Sequence, residues 1–115
     1  MKLSIIIPVY NTEKYISQCI ESVLSIKGIE NEVIVINDGS TDGSLEILKK
    51  YEGICSHIKV ITQENQGASM ARNRGIQECR GDYIYFLDSD DWIEQNMYEK
   101  LYENICLYNA DIATC

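Results

Sequence analysis

Glu32-Val33-Ile34-Val35-Ile36-Asn37-Asp38-Gly39-Ser40 decides the fold. Its apolar residues are consecutive rather than alternating, and all are β-branched, the pattern of a strand covered on both faces within a parallel sheet. The run ends in residues that turn a chain and open a helix. Working outward, Leu3 to Pro8 repeats the pattern upstream, and Ile58 to Ile61 and Tyr83 to Asp88 supply two further strands downstream. Between them Tyr15, Ile16, Cys19, Ile20, Val23 and Leu24 recur at three and four, and Leu45, Ile47, Leu48 and Tyr51 do so less regularly, which predicts helices. In Asn65 to Gly75 the small residues Gly67 or Ala68, Ala71 and Gly75 form a stripe that lets a helix approach the sheet closely. Met97, Tyr98, Leu101, Tyr102 and Ile105 make another apolar stripe, and Ala110 to Cys115 begins a further strand. Such alternation implies right-handed crossovers and a doubly wound, mainly parallel α/β sheet, whose ligands collect beyond the carboxyl ends of the strands.

A chain of 115 residues is one domain by length. With 10 Lys+Arg against 18 Asp+Glu the net charge is −8, which argues against nucleic acid or an acidic membrane as the main partner. Cys19, Cys55, Cys79, Cys106 and Cys115 form no C-x-x-C pair and are odd in number, so they read as small buried hydrophobes, reduced in a cytosolic protein. The apolar start, Met1 to Ile7, is broken at Pro8 without a small-residue cleavage site and reads as the first strand. No apolar run approaches the roughly 20 residues needed to cross a bilayer. A soluble chain is expected, with peripheral attachment left open.

The polar clusters follow the sheet geometry. Strand one runs into Pro8-Val9-Tyr10-Asn11, strand two into Asn37-Asp38-Gly39-Ser40, and strand four into Asp88-Ser89-Asp90-Asp91. These loops share one rim. Asp88 and Asp90, two apart, would leave an extended backbone on the same side and converge on one cation. Mg²⁺ or Mn²⁺ suits them, since such ions take one or two protein carboxylates and complete their shell with substrate phosphates. On that segment alone an acidic turn and a metal site are equally good readings. Asp38 ends a buried strand and could accept hydrogen bonds from a base or ribose. Arg72, a cation in an acidic chain, could pair with a diphosphate, for which its guanidinium fork is well shaped; the alternative is a surface ion pair with a nearby Glu. His57 has no visible partner triad and is given no role. Trp92, Tyr98 and Tyr102 read as core or pocket wall.

Three reaction classes use carboxylates at a strand end. A phospho-accepting receiver domain would want acidic residues after strand one, where this chain has Val9-Tyr10-Asn11. A haloacid-dehalogenase-type phosphatase would use Asp88 as nucleophile but places its D-x-D early and needs later Lys and acidic groups, whereas only residues 92–115 follow here. The third class is nucleotide-sugar transfer. Ser4 to Asn11, Glu32 to Asp42, Asn65-Gln66-Gly67-Ala68 with Ala71-Arg72-Asn73-Gly75, and Gly81-Asp82-Tyr83 leading to Asp88-Ser89-Asp90-Asp91 together resemble the successive motifs of the amino-terminal half of the inverting family 2 glycosyltransferases. Each motif is weak alone; in order they are specific.

The resemblance implies a GT-A fold with Rossmann-like βαβ units and a site placed residue by residue. Pro8, Val9, Tyr10 and Asn11 would line the nucleotide through backbone groups, Asp38 would bind the base, typically uracil, and Arg72 would lie near the phosphates. Asp88, beside Ser89, would face the ribose or the metal; Asp90 would ligate Mn²⁺ or Mg²⁺ bridging the diphosphate, and Asp91 could orient the site or ligate in its place. The partners implied are a nucleotide-sugar donor, a UDP-sugar, and a glycan or lipid-linked acceptor in polysaccharide or glycan synthesis. No nucleic acid is implied, and the full-length enzyme would be cytoplasmic or at the inner face of the membrane. The family's general base lies downstream of its D-x-D. Glu94, Glu99, Glu103 and Asp111 read as poor substitutes, so residues 1–115 are expected to be a single donor-binding half without the acceptor portion, either truncated or a shortened frame. The alternative is a nucleotide-binding or interaction module without turnover. Ending near Cys115 would leave the strand Tyr83 to Leu87 short of neighbours, so a homodimer or aggregation is expected.

Overall fold

The computed structural model describes residues 2–25 and 30–90, and the backbone of 106–107. In chain order the elements are β1 (Lys2–Val9), α1 (Ile16–Leu24), β2 (Glu30–Asp38), α2 (Ser44–Ile54), β3 (Ile58–Gln63), α3 (Ala68–Glu78), β4 (Tyr83–Phe86) and β5 (Cys106–Leu107). The sheet order β3-β2-β1-β4-β5 puts the first strand at the centre and winds the chain outward on both sides of it. β1 pairs in parallel with β2, from Lys2↔Glu30 to Val9↔Asn37, and with β4, from Leu3↔Tyr83 to Ile6↔Phe86. β3 extends the parallel set beside β2, and β5 lies antiparallel to β4.

The consecutive apolar residues of β1 and β2 are buried on both faces. Leu3, Ile5, Ile7 and Val9 join Val33 and Val35 under Ile16, Cys19, Ile20 and Val23 of α1 and Leu48 of α2. On the other face Ile6, Ile34 and Ile36 pack with Ala71 of α3. The small-residue stripe does what its spacing predicts: a Cβ added at Gly75 would lie 2.4 Å from Cγ2 of Ile6. Only glycine allows that approach in a close-packed interior.

Several boundaries differ from expectation. β2 starts at Glu30 and β3 runs on to Gln63, because parallel pairing carries both past their apolar stretches. β4 stops at Phe86 rather than Asp88. The Leu87 amide still donates to the Ile6 carbonyl at 3.0 Å, but Ser89 and Asp90 form a turn, as residues of these types favour. The outer side of β4, expected to lack neighbours, is paired with β5 at Tyr83↔Leu107 and Ile84↔Cys106. Asp91, Trp92, Glu94, Tyr98, Glu99, Tyr102, Glu103 and Asp111, with the rest of the stripe from Met97 and the strand forecast at Ala110 to Cys115, lie outside the described residues. No helix among the described residues is long and apolar enough to cross a membrane.

Candidate functional site

The carboxyl ends of β1, β2 and β4 open onto one pocket of about 290 Å³. Pro8, Val9, Tyr10 and Thr12 line it from β1 and the loop beyond, Asp38 from β2, and Ala68, Ala71 and Arg72 from α3. The turn after β4 adds Asp88, Ser89 and Asp90. Residues singled out in four separate stretches of sequence thus meet in one concavity. A second pocket, about 460 Å³, lies at the opposite ends of the strands and includes Lys2, His57, Lys59 and Arg80. There Lys59 pairs with Glu78, and Glu32 accepts from the Ser4 hydroxyl and the Arg80 backbone amide. His57 lies there, away from the acidic turn.

Asp38 is only 3% exposed, and a carboxylate so buried requires donors. Oδ1 accepts from Gln63 Nε2 and the Gln66 amide, both at 2.9 Å, and Oδ2 accepts from the Gly67 amide at 2.9 Å. The Asn65 side-chain amide donates to the Asp38 carbonyl at 3.1 Å. Gly39, at φ +73, completes the arrangement, for a Cβ there would lie 2.7 Å from the Asn65 nitrogen. Asn65-Gln66-Gly67, part of a segment whose small residues suggested packing, is therefore the cradle of Asp38. Oδ2 has two lone pairs and accepts from one donor among the described residues, which leaves an acceptor direction for a group in the pocket.

Asn11 borders an adjoining concavity rather than this one. Its backbone is left-handed, φ 51, a conformation asparagine tolerates. Its Oδ1 accepts from the amides of Thr41 (2.7 Å) and Asp42 (3.3 Å), and its own amide donates to Ser40 Oγ at 3.1 Å. Glu13 adds two more links, donating its amide to Asp42 Oδ2 and accepting from the Gly43 amide. These contacts lock the loop after β1 to the loop after β2. Asp42 in turn accepts from the Ser44 amide at 2.9 Å, serving the start of α2 as its residue type predicts.

Arg72 reaches the first carboxylate of the acidic turn, Nη2 to Asp88 Oδ1 at 3.4 Å, with the two side chains 40% and 67% exposed. An exposed pair of that length is loose, so the guanidinium is near the acidic turn yet available. Its partner is a site residue rather than the nearby Glu considered above. Asp88 and Asp90 are exposed while Ser89 between them is buried, so the turn still alternates outward, inward, outward. Thr12 holds Ser89 hydroxyl to hydroxyl at 2.9 Å. Sequence reading passed over Thr12; its position one residue past the Pro8–Asn11 loop was the available signal.

Among the described residues no group of three or more His, Cys, Asp or Glu could hold a metal unaided. Asp88 and Asp90 do supply hard oxygen donors at one lip of the pocket, which fits a Mg²⁺- or Mn²⁺-type ion that takes its remaining ligands from water and a substrate diphosphate.

The doubly wound sheet of βαβ units carries its pocket and acidic turn at the carboxyl ends of the strands, as the GT-A fold requires. The sequence matches the family Glycosyl transferase family 2 over residues 4–115, and the chain belongs to that family. It is 47% identical to glycosyltransferase GlyA of Streptococcus pneumoniae over 97% of this chain and 16% of that protein. To the uncharacterized glycosyltransferase YibD of Escherichia coli it is 44% identical over 99% of this chain and 33% of that protein. The crystal structure of S. aureus TarS 1-349 in complex with UDP-GlcNAc is similar at a TM-score of 0.77 and 34% identity, over 90% of this chain and 30% of that one. The chain thus spans a third or less of the length of these relatives.

Proposed function

We propose that this chain is the donor-binding half of a glycosyltransferase that moves a sugar from a UDP-sugar to an acceptor hydroxyl. The observation that carries the reading is the convergence of Asp38, Arg72, Asp88 and Asp90 on one pocket beyond the strand ends. Likeness to a protein solved with UDP-GlcNAc supports the donor class.

In this reading Pro8, Val9 and Tyr10 wall the nucleotide, and Asn11 braces the loop that carries them. Asp38, held by its three donors, accepts from the base or ribose through its remaining direction. Arg72 exchanges Asp88 for the diphosphate, a swap its loose 3.4 Å contact permits. Asp90, with Asp88 and Asp91, holds the cation. A divalent cation bound there supplies positive charge to a leaving diphosphate that gains negative charge as the glycosidic bond breaks. Direct displacement by the acceptor oxygen would invert the anomeric centre, its proton passing to a base that we place downstream of the acidic turn.

Calorimetric titration with UDP, with and without Mn²⁺, tests the proposal. The chain is expected to bind UDP more tightly with Mn²⁺, and Asp90→Asn to lose that enhancement. Absence of binding that depends on both metal and Asp90 overturns it.

A further inference from the structure

The acidic turn is anchored at three successive residues. Leu87 is buried against the α1 side of the sheet and its amide donates to the Ile6 carbonyl at 3.0 Å. The Asp88 carbonyl accepts from the Cys19 thiol of α1 at 3.7 Å. Ser89, 5% exposed, accepts from the Thr12 hydroxyl at 2.9 Å. The first two anchors fix the path of the backbone. The third sits between the two exposed carboxylates and ties the turn to the loop after β1. Thr12 is itself fixed, because its carbonyl accepts the amides of Tyr15 and Ile16, both at 2.9 Å, where α1 begins.

We infer that Thr12 is a positioning residue: through Ser89 its hydroxyl sets the directions in which Asp88 and Asp90 present their carboxylates to a divalent cation. This rests on reading the acidic turn as a cation site, as proposed above. With the hydrogen bond made, Ser89 is held inward and its neighbours must point outward into the pocket. Without it, the Leu87 and Asp88 anchors persist but Ser89 loses its tie to the loop after β1, and Asp90, beyond the last remaining anchor, leaves the cation first. Groups that orient metal ligands without touching the metal typically change affinity by about tenfold or more.

Thr12→Val keeps the branched shape and removes only the hydroxyl. Wild type, Thr12→Val, Thr12→Ser and Ser89→Ala chains are titrated calorimetrically with UDP alone, and with Mn²⁺ in the presence of UDP. We expect the Mn²⁺ concentration for half-saturation to rise about tenfold in Thr12→Val, with any change in metal-free UDP affinity much smaller than that. Thr12→Ser should restore it, Ser89→Ala should match Thr12→Val, and a chain carrying both Thr12→Val and Ser89→Ala should lose no more than either alone. Wild-type Mn²⁺ affinity in Thr12→Val, an equal loss of metal-free UDP affinity, or failure of Thr12→Ser to rescue would each overturn the inference alone. Absence of metal-dependent UDP binding in wild type would overturn the cation site and the inference together.

Discussion

At Gly75 helix and sheet are too close to admit a Cβ, and the consequence reverses an ordinary rule. Replacing a helical glycine with alanine normally stabilises a protein by roughly 0.5–1 kcal/mol, by removing freedom from the unfolded chain. At Gly75 the new methyl would lie 2.4 Å from the buried Ile6 Cγ2, so α3 must shift outward or Ile6 leave its rotamer. Overpacking of this kind costs about 1–3 kcal/mol. Gly53 in α2 is the internal control, since a Cβ there meets nothing within 4 Å. Urea unfolding should therefore move in opposite directions, Gly75→Ala to lower midpoints and Gly53→Ala to higher ones. Stabilisation by Gly75→Ala would mean that α3 does not rest on Ile6.

Between elements, what could be read from sequence depended on whether an interaction leaves a local pattern. β1 and β2 were legible because burial on both faces forces consecutive apolar residues, and the α3 stripe because close approach forces small ones. The cradle of Asp38 was not, because its donors Gln63, Gln66 and Gly67 lie 25, 28 and 29 residues away, and no periodicity connects them. The same holds for Asn11 with Thr41 and for Thr12 with Ser89. Another such link joins α3 to β3, where Glu78 meets Lys59 at 3.1 Å and Arg74 at 3.4 Å. Lys59 chiefly, with help from Arg74, holds the Glu78 carboxyl below its ordinary range. A carboxyl depressed in the folded state contributes stability above its unfolded pKa and loses it as pH falls through the folded one. Glu78→Gln should thus unfold at lower urea than wild type at pH 7, with the gap narrowing as acid protonates the carboxyl. A gap equally wide at neutral and acid pH would show that the link is not ionic.

For the molecule as a whole, the outer strands decide whether the sheet can recruit a second copy. A bare edge offers unpaired amides and carbonyls to another chain. On one side β5 covers Tyr83 and Ile84 of β4, which removes part of the edge that the sequence suggested would be open. On the other side, the Val60 amide in the middle of β3 donates to Glu52 Oε2 of α2 at 2.8 Å. A carboxylate seated there occupies the donor that an incoming strand would need and places negative charge in its path, in a chain already at −8. Pairing through β3 must first displace Glu52. Glu52→Ala frees the amide and removes the charge while leaving the buried core untouched, because Glu52 is exposed. In sedimentation velocity, the weight-average coefficient of Glu52→Ala should climb with concentration more steeply than that of wild type, and a Glu52→Gln side chain, able to accept the same hydrogen bond, should bring it back. Identical concentration dependence in wild type and Glu52→Ala would show that Glu52 does not guard this edge and that any homodimer forms elsewhere.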